Sequence, residues 1–164
     1  MTAEQDKPAV KTVASVDLDR YLGDWYEIAR YDNRFQRKCT GDVKAGYARK
    51  DDGTIRVVNT CRTEQGMTSA EGAARIVDET TRAKLKVRFA PSFLGFLPFV
   101  WGDYWIIGLD DNYRWAVVGT PDRGYLWILS RTPVLDQALF EQALEKVRAN
   151  GFDPGKLLKT RQGS

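Results

Sequence analysis

Residues 102–131 read GDYWIIGLDDNYRWAVVGTPDRGYLWILSR. Three runs rich in β-branched and aromatic residues, 102–109, 113–119 and 125–131, are separated by Asp110-Asp111-Asn112 and by Pro121-Asp122-Arg123-Gly124. Asp, Asn, Pro and Gly favour tight turns because they preset or tolerate the dihedrals a reversal needs. The stretch therefore predicts three consecutive strands joined by short turns.

The same grammar extends toward the N-terminus. Residues 83–89 place Leu85, Val87 and Phe89 at period 2, after a polar turn at 78–82 and a small-residue strand at 68–78. Residues 41–50 alternate Val43, Ala45 and Tyr47 with Asp42, Lys44 and Gly46; Asp51-Asp52-Gly53-Thr54 turns the chain, and 55–61 resumes the pattern as a hairpin. A first strand starts at Trp25, after a short helical turn over 15–23 that Gly23 closes. Eight strands in sequence must bury their edges, and closing the sheet does this. The expected fold is all-β: an eight-stranded antiparallel up-and-down β-barrel with one C-terminal α-helix packed outside. A sandwich is the less favoured alternative, because no long Greek-key crossover is visible. For the helix, Thr132 is the expected cap and Pro133 the first helical residue. Leu135, Leu139, Phe140, Ala143, Leu144 and Val147 share one face, and Gly151 suits the left-handed stop. Leu157-Leu158 are expected to add an edge strand. Residues 1–14 read as a flexible N-terminal segment and 15–164 as a single domain.

Composition narrows the function. The 164 residues are 43% hydrophobic, 29% charged and 12% aromatic, with a net charge of +3, which is globular rather than disordered. The aromatic excess implies a bulky core or an aromatic-lined cavity. Acidic and basic residues are interleaved, so no nucleic-acid footprint is expected. Without histidine there is no imidazole base, no Ser–His–Asp arrangement and no His-ligated zinc or haem. No metal and no cofactor are expected. No run reaches the ~18 apolar residues of a membrane helix, and the first fifteen residues lack the apolar stretch of a signal peptide. The protein is then cytoplasmic, or its export signal is not in this sequence.

Cys39 and Cys61 flank the first hairpin. Pairing Tyr47 near Val57 sets them roughly opposite, so they form either a disulfide, in an oxidising compartment, or two buried thiols.

Gly23-Asp24-Trp25 at the head of the first strand resembles the G-x-W signature of lipocalins, and Leu129-Ser130-Arg131 resembles the family's third motif, whose Arg packs over that Trp. Asp110-Asp111-Asn112-Tyr113 is a partial match to the family's T-D-Y turn. The resemblance covers about residues 17–160, with the stretches WYEIARYDNRF, AKLKVRF, DYWIIGLD and YLWILSRTP closest to the bacterial lipocalin and apolipoprotein D branch. Gly23, Trp25 and Arg131 are then structural: an indole plugs the floor and a guanidinium stacks on it, worth about 0.5–2 kcal/mol.

By parity with Arg131, Tyr125, Trp127 and Leu129 face inward. The resemblance adds Tyr104 and Ile106, then Leu85, Val87 and Phe89, then Tyr47 and Asn59, and finally Gly72, Ala74 and Ile76, whose small members leave volume. Such a lining suits an acyl chain with one polar end. The resemblance implies binding and transport or storage of a lipid-like ligand, a fatty acid or lysophospholipid, at the periplasm or outer membrane of a bacterial envelope, without catalysis.

Residues 90–101, APSFLGFLPFVW, carry no charge. With Phe35, the aromatics Phe93, Phe96, Phe99 and Trp101 are expected at the mouth, as a lid, a membrane contact or a dimer contact. Arg34, Arg37 and Lys38 are placed there to meet a headgroup phosphate. Expected partners are therefore a lipid or other small hydrophobic ligand and a membrane surface, in a monomer or homodimer. Two alternatives stay open: an interaction module built on that loop, and an enzyme using Cys61 or the inward Glu27.

Overall fold

The computed structural model describes residues 7–89 and 101–163. A four-residue helix α1 (Leu18–Tyr21) is capped by the Asp17 carboxylate, which accepts from the Asp19 amide. It leads into β1 (Gly23–Tyr31), β2 (Gly41–Arg49), β3 (Ile55–Thr63), β4 (Gly66–Ile76), β5 (Lys84–Phe89), β6 (Gly102–Leu109), β7 (Trp115–Gly119) and β8 (Leu126–Ser130). Then follow helix α2 (Gln137–Ala149) and a short strand β9 (Leu157–Lys159). Each of β2 to β7 pairs with the next, β8 pairs with β1, and β1 pairs back with β2, so the sheet closes into a barrel. β9 pairs with Ala29–Tyr31 of β1, whereas β2 pairs only with Gly23–Tyr26. The late strand thus caps an edge that the barrel leaves unpaired.

Strand alternation divides the apolar side chains between two cores. One fills the lower barrel, around Trp25, Val57, Leu85, Ile106 and Val118. The other lies between the outer wall and α2, where Ala29, Val117, Ile128, Phe140, Ala143 and Val147 meet. A bulge between Glu27 and Ala29 moves β1 from one to the other. Trp25 and Glu27 are on the inner parity; beyond the bulge Ala29 pairs with Ile128 and faces the helix, while Arg30 pairs with inward Trp127. An inserted residue inverts every later side chain in a strand.

Three sequence expectations are amended. The helix starts at Gln137, with Asp136 at its N-cap, not at Thr132-Pro133. The Thr132 hydroxyl instead donates to the Val134 carbonyl at 2.6 Å, which uses up the capping group in a local turn. The end is as expected: Gly151 takes φ of 78° beyond the last turn. The N-terminal stretch is docked where described: Val10 is buried, the Lys11 amide donates to Asn150 Oδ1 at 2.8 Å and the Val13 amide to the Ile106 carbonyl at 3.0 Å. Gly72 leaves no free volume, because a Cβ there would lie 2.8 Å from Cδ1 of Phe89 and 2.4 Å from the Arg88 carbonyl. The missing side chain makes room for the Phe89 ring.

Candidate functional site

The closed end of the barrel is built on Trp25. Its indole is fully buried and donates to the Tyr21 carbonyl at 2.8 Å. The Arg131 guanidinium lies 3.8 Å from the ring centroid and donates to the carbonyls of Asp24, at 2.9 Å, and Arg20. Gly23, at φ of 101°, passes under that guanidinium. Beside it, Asp110 accepts from Arg114 at Nε (2.5 Å), Nη2 (3.1 Å) and the backbone amide (3.0 Å). These bonds hold the Asp110 carboxyl below its ordinary pKa. Tyr113 accepts the Asp17 amide at 2.8 Å and so ties this turn to α1.

Above the floor, three tyrosines meet. Tyr104 Oη lies 2.8 Å from Tyr21 Oη and 2.9 Å from Tyr47 Oη. Burial pushes the Tyr47 phenol up to about 12, and burial likewise raises Tyr21 and Tyr104 well above the ordinary value. The cluster therefore stays protonated and uncharged at neutral pH. Beneath it is only a void of about 10 Å³, lined by Ala74, Leu85 and Ile106 among others.

Over the cluster opens a cavity of about 480 Å³, within the ~300–1,000 Å³ usual for small-molecule sites. Tyr47, Asn59, Val87, Phe89, Tyr104, Tyr125, Trp127 and Leu129 line it, as does Phe35. Ala74, Leu85 and Ile106 lie instead below the tyrosines, as packing of the lower barrel. Ile76 packs against the same core and lines neither space. The tyrosine layer separates the hollow part from the filled part, and strand parity carries no information about depth.

One upper wall is aromatic. Phe35 stacks on Tyr125 at 6.1 Å between centroids, and Tyr125 on Trp127 at 5.8 Å. Gln36 ties this wall together. Its Oε1 accepts from Trp127 Nε1 and Asn33 Nδ2, both at 2.8 Å, and its Nε2 donates to Glu27 Oε1 at 2.9 Å. Glu27, 2% exposed, also accepts from Arg30 Nη1 at 2.8 Å and from the Thr160 hydroxyl. Parity identifies Glu27 as inward, but its partner Arg30 depends on the bulge, and Gln36, which lines the cavity, lies on a loop without periodicity, so the sequence reading names neither.

Cys39 and Cys61 form a disulfide with Cα atoms 5.6 Å apart, and both sulfur-bearing residues line the cavity rim. The register behind that reading is observed, with Tyr47 opposite Val57. Trp101 lies against Arg75 and Arg88, whose guanidinium carbons are 4.6 and 4.7 Å from its ring centroid. Both arginines alternate with the inward residues of their strands, so this indole rests on the outer wall. Phe93, Phe96 and Phe99 lie outside the described residues, and with them the lid, membrane and dimer readings of residues 90–100. Among the described residues no cluster of three or more His, Cys, Asp or Glu is placed to hold a metal, and no helix is long and apolar enough to cross a membrane.

Residues 16–162 match the Lipocalin-like domain family. The chain is 43% identical to the outer membrane lipoprotein Blc of Escherichia coli (strain K12) over 155 residues, covering 93% of this chain and 83% of Blc. It is 42% identical to temperature-induced lipocalin-1 of Arabidopsis thaliana over 159 residues, covering 96% and 85%. Insecticyanin from the tobacco hornworm Manduca sexta superposes with a TM-score of 0.75 at 22% identity, covering 96% of this chain and 87% of that one.

Proposed function

The chain belongs to the lipocalin family, a fold that binds hydrophobic ligands, and from that premise we propose that it binds and carries one fatty acid or lysophospholipid in its barrel, at the cell envelope. The observation that carries this reading is the cavity of about 480 Å³ above the tyrosine layer. Its walls are mostly apolar, so an acyl chain loses contact with water there at about 0.8 kcal/mol per methylene. Arg34 on the rim suits a carboxylate or phosphate left at the mouth. The Cys39–Cys61 bridge favours an oxidising compartment, and an envelope location is in keeping with the name of the Escherichia coli relative. Lipocalins are generally binding proteins rather than enzymes, and Glu27, the buried carboxylate in the cavity wall, is taken up by Arg30, Gln36 and Thr160.

The test is displacement of a fluorescent fatty acid by palmitate and by a lysophospholipid, together with mass spectrometry of lipid extracted from the purified protein. One-to-one displacement with an acyl lipid in the extract is expected. A protein that neither displaces nor carries such a lipid overturns the reading.

A further inference from the structure

Tyr47 and Tyr104 reach each other from opposite sides of the barrel. Their strands, β2 and β6, are separated by three strands in either direction around the closed sheet. Their hydroxyls nevertheless meet at 2.9 Å, with the rings edge to face at 6.0 Å between centroids. The pair is a crossbar over the lumen, and Tyr21 props it from below. The Tyr21 hydroxyl lies 2.8 Å from Tyr104 Oη, and its ring centroid is 6.0 Å from that of Tyr47 and 5.0 Å from that of the buried Trp25. Tyr47, Val87 and Tyr104 border both the cavity of about 480 Å³ and the void of about 10 Å³. Toward β1 and β8 the cavity runs down to Trp25 and Leu129. Toward β3 to β6 it stops at the crossbar, below which Ile55, Ala74, Leu85 and Ile106 form an apolar lining closed off from above.

We propose that Tyr104, braced on Tyr47, sets the length of acyl chain the barrel accepts; the inference rests on the carrier reading above. A chain that leaves its charged end at the mouth descends methyl end first and halts on the crossbar. To go further it would have to displace rings packed against one another in a full lumen. Each methylene that fits above the crossbar leaves water, and each one beyond that number stays at the mouth. The hydroxyl bonds aim the Tyr104 ring, and its bulk is what blocks. Position 104 carries the setting because its strand flanks the lower space: Leu85 pairs with Tyr104, and Ile106 is the next residue on the same face of β6. Removing the Tyr104 ring joins the upper cavity to this lower lining.

The probes are the even-numbered saturated fatty acids from octanoate to eicosanoate, each displacing a fluorescent fatty acid at pH 8. In the unaltered protein affinity is expected to rise about fourfold per added methylene and then to level off at one chain length. Tyr104→Val and Tyr104→Ala leave space that the surroundings fill only in part, and are expected to move that break about two and about four carbons longer. Tyr104→Phe keeps the ring and discards the hydroxyl, and its break is expected at the unaltered protein's length. If Tyr104→Ala does not fold, Tyr104→Val carries the comparison, since a β-branched residue suits a strand. A break that stays in place in the variants lacking the ring, one that moves as far in Tyr104→Phe as in Tyr104→Val, or no break up to eicosanoate in the unaltered protein each overturns the inference. If no chain displaces the probe, the carrier reading itself falls.

Discussion

The floor of the barrel and its upper wall solve the same problem by different means. At the floor, polar side chains are spent on backbone: the buried Trp25 on the Tyr21 carbonyl and the half-buried Arg131 on the carbonyls of Asp24 and Arg20. At the upper wall they are spent on other side chains, with Gln36 linking Trp127, Asn33 and Glu27. Backbone acceptors are delivered by the fold itself, so the floor forms wherever the barrel closes. Side-chain partners must be delivered together, so the wall depends on the bulge in β1, on the loop over 32–40 and on Thr160 beyond β9.

The largest expected effect tests the floor. Trp25→Ala empties a fully buried indole site, and should cost about 4–5 kcal/mol in denaturant unfolding. A cost below about 1 kcal/mol would mean the closed end does not depend on its plug. Next comes the wall. Glu27→Leu strands Arg30, whose side chain is 11% exposed, and is expected to cost about 3 kcal/mol. The double variant Glu27→Leu/Arg30→Met removes both charges and should recover most of that loss. If the double variant is no more stable than the single, the pair is not the unit described, and the comparison needs another basis.

The smallest effect returns to the floor and depends on pH. Arg114 lowers the Asp110 pKa in the folded protein, so the carboxylate contributes stability that is complete above its unfolded value of about 3.9 and is lost as pH falls through the lower folded value. Asp110→Asn should lower the melting temperature by a few degrees at pH 7. The gap between variant and parent should narrow steadily below about pH 4. A gap that is constant from pH 7 to pH 3 would assign the turn's stability to the backbone alone.

Much of this was legible in the chain. The strands of 102–131 fall within two residues of their expected limits at each end, because Asp, Asn, Pro and Gly punctuate β-rich runs through local dihedral preference. Inward Tyr47, Asn59, Val87, Phe89, Tyr104, Tyr125 and Trp127 followed from period-2 alternation and the family resemblance, and all border the cavity. The missed features share one cause. Arg30 is turned inward by a register shift, the Gly72 volume is taken by Phe89, and Ala74, Leu85 and Ile106 fall below the tyrosine layer. Each depends on which residue of another strand arrives beside it.

By itself, then, the amino-acid order determined the antiparallel strands, the plug and its guanidinium, the outer helix and the placing of the two cysteines opposite each other across the first hairpin; that they are bonded is read from the structure. These follow from near neighbours and strict periodicity. Only the closed tertiary structure decided how deep the hollow reaches and which side chains stop it. Depth is a property of side chains from several strands meeting in space, and no single stretch of chain contains it.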